Sequence, residues 1–370
     1  MMSNTGKKII YITPDFPVGG AERFLLMLSN HLADYTAAQH IVSLGSNTAL
    51  QKELHPSISF HQYARTSRTD FKPFKKLRRL LKSEKPDVVV CLNFFAYLSL
   101  RIAMLMSGFK TRTVISYHSS IHLDPREHRM HKLYAKLLRK NDRVICVSEK
   151  QAAYTISTYR MPAAIYRTIH NGIDTKRWIL PTEDFNKLEW RAKWNIPADA
   201  NVIISVAALR HEKNHIGAVK ALHLLHQEYN VPAYLLLAGD GNMKAAIAAE
   251  VEKYGLNSYV IFAGNQSDVR PFCWMSDLFT LCSTSETFSL AALEAMACGL
   301  PAVLADIGGA SEMVDTGFTG LLCDTSSESF AKTWNEALQT NWNNKEISDQ
   351  THRLFSIDKM FEKYRAELLS

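Results

Sequence analysis

The sequence predicts an α/β protein of two domains, each a parallel sheet covered by helices, and three observations carry that prediction. Short β-rich runs alternate with longer segments of helical period along almost the whole chain, the pattern of sheets wound with crossover helices. The alternation breaks once, near residues 170–185, where Asn171-Gly172 gives a turn and 181–186 is polar and aperiodic. At 370 residues the chain suffices for two cores of ordinary domain size.

In order, the first series places strands at 8–13, 40–44, 57–62, 88–92, 113–117, 143–147 and 164–169. Between the first two, residues 21–33 set Phe24, Leu25, Leu28 and Leu32 on one helical face. The apolar run 88–106 contains Asn93 and Arg101, so it reads as a strand followed by a buried helix and not as a membrane span. The second series places strands at 202–207, 234–238, 259–262, 278–282, 302–305 and 320–322. This gives Rossmann-like domains at 1–175 and 176–355, with a C-terminal helix over 356–370 expected to pack back on the first. Open parallel sheets bind ligands beyond the carboxyl ends of their strands, so the site is expected in a cleft faced by both sets of loops.

Composition narrows the class. An apolar fraction of 46% and a charged fraction of 21% are those of a soluble globular protein. Lys7 and Lys8 precede only a short apolar run that Pro14 and Asp15 stop, so no signal peptide is expected. Six cysteines are scattered without C-x-x-C spacing, which reads as buried reduced thiols and a cytoplasmic setting. The net charge of +7 divides unevenly: residues 1–180 hold 28 Lys and Arg against 12 Asp and Glu, and the remainder holds 15 against 24. Such an asymmetry points the first half at an anionic partner, membrane surface or nucleic acid.

Several constellations carry chemistry. Residues 285–303 follow an apolar strand and open a helix rich in Ala and Leu, so amides near Phe288, Ser289 and Leu290 are placed to meet a diphosphate. Glu286 and Glu294 flank that helix start, spaced to accept hydrogen bonds from opposite ends of one extended ligand; alone, such a pair is an ordinary first-turn acid and a helix glutamate. Gly19 and Gly20 after the first strand allow close backbone approach, or merely a turn. His118 ends the strand at 113–117, as a loop cap or as a site residue.

Glu-x7-Glu followed by Ala-Met-Ala-Cys-Gly-Leu-Pro-Ala-Val resembles the signature of the family-4 retaining glycosyltransferases of the GT-B fold, and the resemblance runs in order over nearly the whole chain. It implies that Glu286 meets the donor sugar and Glu294 the nucleoside ribose. It further implies that Gly20 lies at the donor phosphates and that His118 contacts the sugar near the reacting carbon. The loop at Asn265 is implied to meet the nucleobase by its backbone. The segment 205–215 is similar to the family's diphosphate clamp, with Lys213 in place. The family arginine stands two residues earlier, at Ala208, so Arg210 is either a displaced substitute or a solvated surface residue. Thr287 and Ser289 stand where the family favours glycine, which alters the sugar pocket. His170-Asn171-Gly172 matches an interdomain turn.

The stretch from Phe71 to Lys85 sets Phe71, Phe74, Leu77 and Leu81 on one face and most of its cations on the other. It is either a helix packed on the sheet or a device for docking on anionic lipid. A second basic run, from Arg126 to Lys140, adds to that face. The expected function is metal-independent transfer of a hexose-type unit from a UDP- or GDP-linked donor to a lipid-linked or oligosaccharide acceptor. It would take place at the inner face of the cytoplasmic membrane, in cell-surface polysaccharide synthesis, with no cofactor and no nucleic acid partner. No Asp-x-Asp occurs, which argues against a required divalent ion. A sugar-nucleotide epimerase and a non-catalytic nucleotide-binding scaffold are the rivals.

Overall fold

The computed structural model describes residues 6–17, 20–65, 67, 70–118 and 125–370, with no side chains described for 125–127. The chain forms two units, one of Met1–Ile169 with Phe361–Ser370 and one of His170–Met360.

The first unit is built on β1 (Lys8–Thr13), β2 (Ala38–Ser43), β3 (Ile58–Gln62), β4 (Val88–Cys91), β5 (Arg112–Tyr117), β6 (Arg143–Cys146) and β7 (Tyr166–Thr168). They form one sheet in the order β3-β2-β1-β4-β5-β6-β7, with every pairing parallel. Strands covered on both faces read as continuous apolar runs; Ile9, Ile10, Tyr11 and Ile12 accordingly have no exposed surface. The last strand is shorter than its apolar run, because Pro162 leads into a 3₁₀ turn over Ala163–Ile165 that takes its first residues. Asn93 ends the run after β4 by capping the helix Phe94–Ser107, accepting from the Ala96 amide at 2.9 Å, and Gly108 closes that helix in the left-handed region.

The second unit carries β8 (Asn201–Val206), β9 (Ala233–Ala238), β10 (Val260–Gly264), β11 (Leu278–Leu281), β12 (Ala302–Ala305) and β13 (Gly320–Cys323). Their order is β10-β9-β8-β11-β12-β13, again all parallel. Two helices, His215–Tyr229 and Ser327–Gln339, pack on this sheet through Leu222, Leu225, Phe330 and Trp334, all at 1% exposure or less.

Each sheet reverses its winding once, between β1 and β4 in the first unit and between β8 and β11 in the second. At such a point the two loops leave in opposite directions and open a crevice beyond the carboxyl ends of the strands. The loop after β8 carries Arg210 and Lys213, and the loop after β11 carries Glu286.

All six cysteines are buried and none is in a disulfide. Among the described residues, no helix is long and apolar enough to cross a membrane.

Candidate active site

In the second unit, the β8 loop is shaped by a close backbone crossing. Gly239 follows β9 at φ +152, and a Cβ there would fall 2.0 Å from the Ala207 carbonyl oxygen. Leu209 is buried beneath the loop, its amide bonded to the Asp240 carbonyl at 3.0 Å. The chain then makes a 3₁₀ turn over His211–Lys213, and Asn214, in the left-handed region, caps the helix His215–Tyr229. This turn sends the Lys213 side chain across the crevice to Glu286. The two meet at 2.5 Å, each side chain about a fifth exposed. Arg210 stands exposed on the same loop, as a solvated residue.

Glu286 is braced from three sides. The Thr284 amide bonds the Glu212 carbonyl at 2.9 Å, tying the β11 loop to the β8 loop. The Gly309 amide bonds the Thr287 carbonyl at 2.7 Å, and a Cβ on Gly308 would fall 2.2 Å from the Glu286 carbonyl oxygen. From below, His170 stacks on Phe288 with ring centroids 4.9 Å apart and bonds Glu312 at 2.9 Å. Asn171 donates its side-chain amide to the Phe288 carbonyl at 3.3 Å. The His-Asn-Gly turn therefore buttresses the carboxylate loop, a job that sequence alone does not assign to His170, Asn171 or Glu312.

The helix after this loop starts later than expected. It spans Leu290–Ala297, and Ser289 is its cap: the Ser289 hydroxyl accepts from the Ala292 amide at 3.2 Å. The serine found where glycine is usual thus serves the protein's own helix end. Phe288 is buried and its ring is spent on His170, so only backbone groups of Phe288 and Ser289 remain for a ligand. The amides of Leu290 and Ala291 lie in the first turn, where a helix supplies no carbonyl partner. Glu294 lies four residues further on, roughly 6 Å along the axis. Burial pushes its carboxyl pKa up to about 7, against the opposing field of Arg177. Neither Arg177 nor His215 stands out in the sequence. Both ring nitrogens of His215 are buried without a hydrogen-bond partner, and burial together with the Lys213 charge depresses its pKa to about 4.

Asn265 is exposed on the loop after β10, where Gly239 and Gly264 bridge the ends of β9 and β10. That loop is separate from the two that carry the Lys213–Glu286 pair.

In the first unit, His118 directly follows β5, one strand from the winding reversal. Its Nε2 lies 2.8 Å from the Ser116 hydroxyl, Phe24 packs on its ring at 4.4 Å, and desolvation depresses its pKa to about 4. Gly20 is the first residue of the helix Gly20–His31 and is exposed, and a Cβ added there would meet nothing within 4 Å. Its φ is ordinary, so this unit's own fold does not demand a glycine there. Gly19 and Ser119, read from the sequence as parts of the same loops, lie outside the described residues.

The helix Lys72–Glu84 corrects one expectation. Phe74, Leu77 and Leu81 point into the first unit's core, together with Leu80, whereas Phe71 precedes the helix and is 58% exposed. Phe71 is the N-cap residue with helical backbone angles, and its ring lies 6.1 Å from that of Phe74, but at the helix end it is left facing solvent. The apolar stripe is therefore committed to packing. What faces outward is the cationic side, with Lys72, Lys75, Lys76, Arg79 and Lys82 exposed. Of the second basic run, Arg126 lies outside the described side chains.

Comparison with known proteins accords with this geometry. Residues 18–177 match the family described as Glycosyltransferase Family 4, and residues 186–353 match Glycosyl transferases group 1. The chain is 28% identical over 327 residues to N-acetyl-alpha-D-glucosaminyl L-malate synthase of Bacillus anthracis, covering 83% of this chain and 81% of that protein. It is 26% identical to the lipopolysaccharide core biosynthesis glycosyltransferase LpsE of Rhizobium meliloti, over 90% of each. The crystal structure of Anabaena HepE in complex with UDP superposes with a TM-score of 0.81 at 19% identity, covering 98% of this chain and 99% of that one. With the two family matches following one another along nearly its whole length, the chain belongs to the family-4 glycosyltransferases and has the GT-B fold.

Proposed function

We propose that the protein transfers a hexose-type unit from a UDP-sugar to a lipid-linked or glycan acceptor in cell-surface polysaccharide synthesis, with retention of anomeric configuration and without a metal ion. The observation that carries this reading is the Lys213–Glu286 pair beside a helix start with open amides, followed by a desolvated Glu294. Lys213 and the amides of Leu290 and Ala291 offer positive charge to a diphosphate, whose leaving oxygen gains charge in the transition state. Glu286, once Lys213 turns to phosphate, accepts hydrogen bonds from sugar hydroxyls. Glu294 accepts from the ribose. His118 takes the donor-sugar contact that the family resemblance implies. No separate carboxylate is assigned as a covalent nucleophile, so we favour same-face displacement, the leaving phosphate taking the acceptor proton.

UDP is preferred among nucleotides because HepE binds UDP and UDP-glucose, and a polysaccharide product because LpsE is a lipopolysaccharide core enzyme. Docking of the first unit on anionic lipid at the inner membrane face rests on the exposed cations of the helix Lys72–Glu84. Thermal unfolding with UDP-, GDP-, ADP- and dTDP-sugars tests the donor. A ligand at a hundred times its Kd stabilises by about 2.7 kcal/mol. A shift with a UDP-sugar that is lost in Glu294→Ala is the expected result. No shift with any of the four would overturn the reading.

A further inference from the structure

The residues closing the chain supply a group that reaches His118. Tyr364 has no exposed surface, and its hydroxyl lies 2.9 Å from the hydroxyl of Ser116, also fully buried. The same Ser116 oxygen lies 2.8 Å from His118 Nε2. Phe24 packs on both rings, 4.4 Å from His118 and 4.9 Å from Tyr364, which holds the three side chains together, Phe24 and Tyr364 buried and His118 half-buried.

Proton counting sets the direction of this chain. A serine hydroxyl has one proton to donate and lone pairs to accept with, and a phenol likewise has one proton. If Tyr364 donates to Ser116 and Ser116 donates to Nε2, both hydroxyl protons have acceptors, and the ring proton falls on Nδ1 of the half-buried His118. With the proton on Nε2, that N–H donates to Ser116, and either the Tyr364 or the Ser116 proton is then left buried with no acceptor among these groups. An unmade donor on a fully buried hydroxyl costs its full desolvation penalty. The first order wins.

We propose that Tyr364, acting through Ser116, is a positioning residue that holds neutral His118 with its proton on Nδ1, so that His118 meets its ligand as a hydrogen-bond donor and not as a base. The ligand class that suits a neutral Nδ1–H is an uncharged oxygen, such as a sugar hydroxyl. Desolvation holds the pKa of His118 down at about 4, so the ring is neutral at ordinary pH. The inference deepens the donor-sugar role assigned to His118 and rests on that reading for its ligand, while the tautomer itself stands on the ligand-free geometry.

The test is nitrogen NMR of the full chain labelled in histidine, with the His118 signals assigned by their loss in His118→Gln. The expected wild-type spectrum has a protonated Nδ1 and an unprotonated Nε2 at neutral pH. In Tyr364→Phe, Ser116 loses its donor and the two tautomers mix. Turnover with a UDP-sugar then falls on the order of two- to tenfold, following the population of the active tautomer, with KM nearly unchanged. Ser116→Thr, which keeps the hydroxyl, restores the wild-type tautomer, and Ser116→Ala does not. A wild-type proton on Nε2 would overturn the proposal without any variant. An unaltered tautomer in a folded Tyr364→Phe would remove Tyr364 from it. If the tautomer is as expected but UDP-glucose moves no His118 signal and His118→Gln keeps full activity, the sugar contact fails while the hydrogen-bond chain stands.

Discussion

The two winding reversals share one topology and are furnished in opposite ways. In the second unit, the loops after β8 and β11 are tied to each other by Thr284 and Glu212, and a lysine and a glutamate are already joined across the crevice. In the first unit, the loop after β1 is fixed at its root, where Asp15 accepts from the amides of Phe16 and Asn47 at 3.0 and 2.8 Å. Beyond that root it reaches Gly20, which opens on empty space. Net charge runs the other way. Residues 1–180 are strongly basic and the remainder acidic, yet Lys213, the cation proposed to meet the diphosphate, sits in the acidic part. The second unit's crevice is thus already organised by its own side chains, whereas the described part of the first unit's loop is held at its root. Net charge describes outer surface and steering; it does not locate the binding cations.

The comparison is sharpest at Lys213. Lys213→Ala should lower kcat by about 10²–10³, the usual loss when one preorganised charge at a developing anion is removed. Steady-state kinetics with the UDP-sugar found by thermal shift would check it, and a change confined to KM would mean that Lys213 only binds.

Glu294 gives the next effect, and it separates affinity from stability. Its carboxyl pKa is raised on folding from an ordinary value of 4.5 to about 7 by burial. A raised carboxyl favours the folded state while protonated, so its contribution is whole below pH 4.5 and is lost as pH rises through 7. Glu294→Gln should therefore stabilise the ligand-free protein at about pH 8 by about 1–3 kcal/mol and leave it nearly unchanged at about pH 4.5. The same variant should raise KM for the donor with little change in kcat. Equal unfolding temperatures of variant and wild type at the higher pH would break this assignment.

On the first unit, replacing Lys75, Lys76, Arg78 and Arg79 by serine should weaken binding to vesicles of acidic phospholipid by about 2 kcal/mol. Transfer to a soluble acceptor should hardly change, because Lys75, Lys76 and Arg79 are exposed and Arg78 half-buried on a helix whose apolar side is already packed. Equal losses on soluble and vesicle-borne acceptors would assign the helix to the fold instead. The smallest expected effect is none at all. EDTA should leave activity intact, since Lys213 and helix amides take the role of a cation; complete loss restored by Mg²⁺ would remove the metal-free mechanism.

Most of the architecture is legible because buried parallel strands are written as unbroken apolar runs, and each expected strand is present. Side chains at strand and helix ends are legible as candidates, but their partners are not. Lys213 and Glu286 are 73 positions apart, and Ser116 and Tyr364 are 248 apart. Those meetings depend on strand order and on where the chain returns, which local pattern does not encode. The cap that Ser289 supplies is read only from the structure, a hydroxyl at a helix start satisfying the protein's own Ala292 amide. Phe71 keeps to the side of Phe74, and it is exposed because it stands at the N-cap, ahead of the turns that pack.

The first unit is also interrupted in sequence: its last members are Phe361–Ser370, after the 191 residues of His170–Met360. Phe361, Tyr364 and Leu368 are at most 5% exposed there. During synthesis at roughly 5–20 residues per second, the earlier part of this unit waits about 10–40 s for them. Over that interval Phe24 and Ser116 lack their contacts with Tyr364. Every strand of the second unit is made before Phe361, so the first unit receives these residues only after its neighbour's sheet has been synthesised.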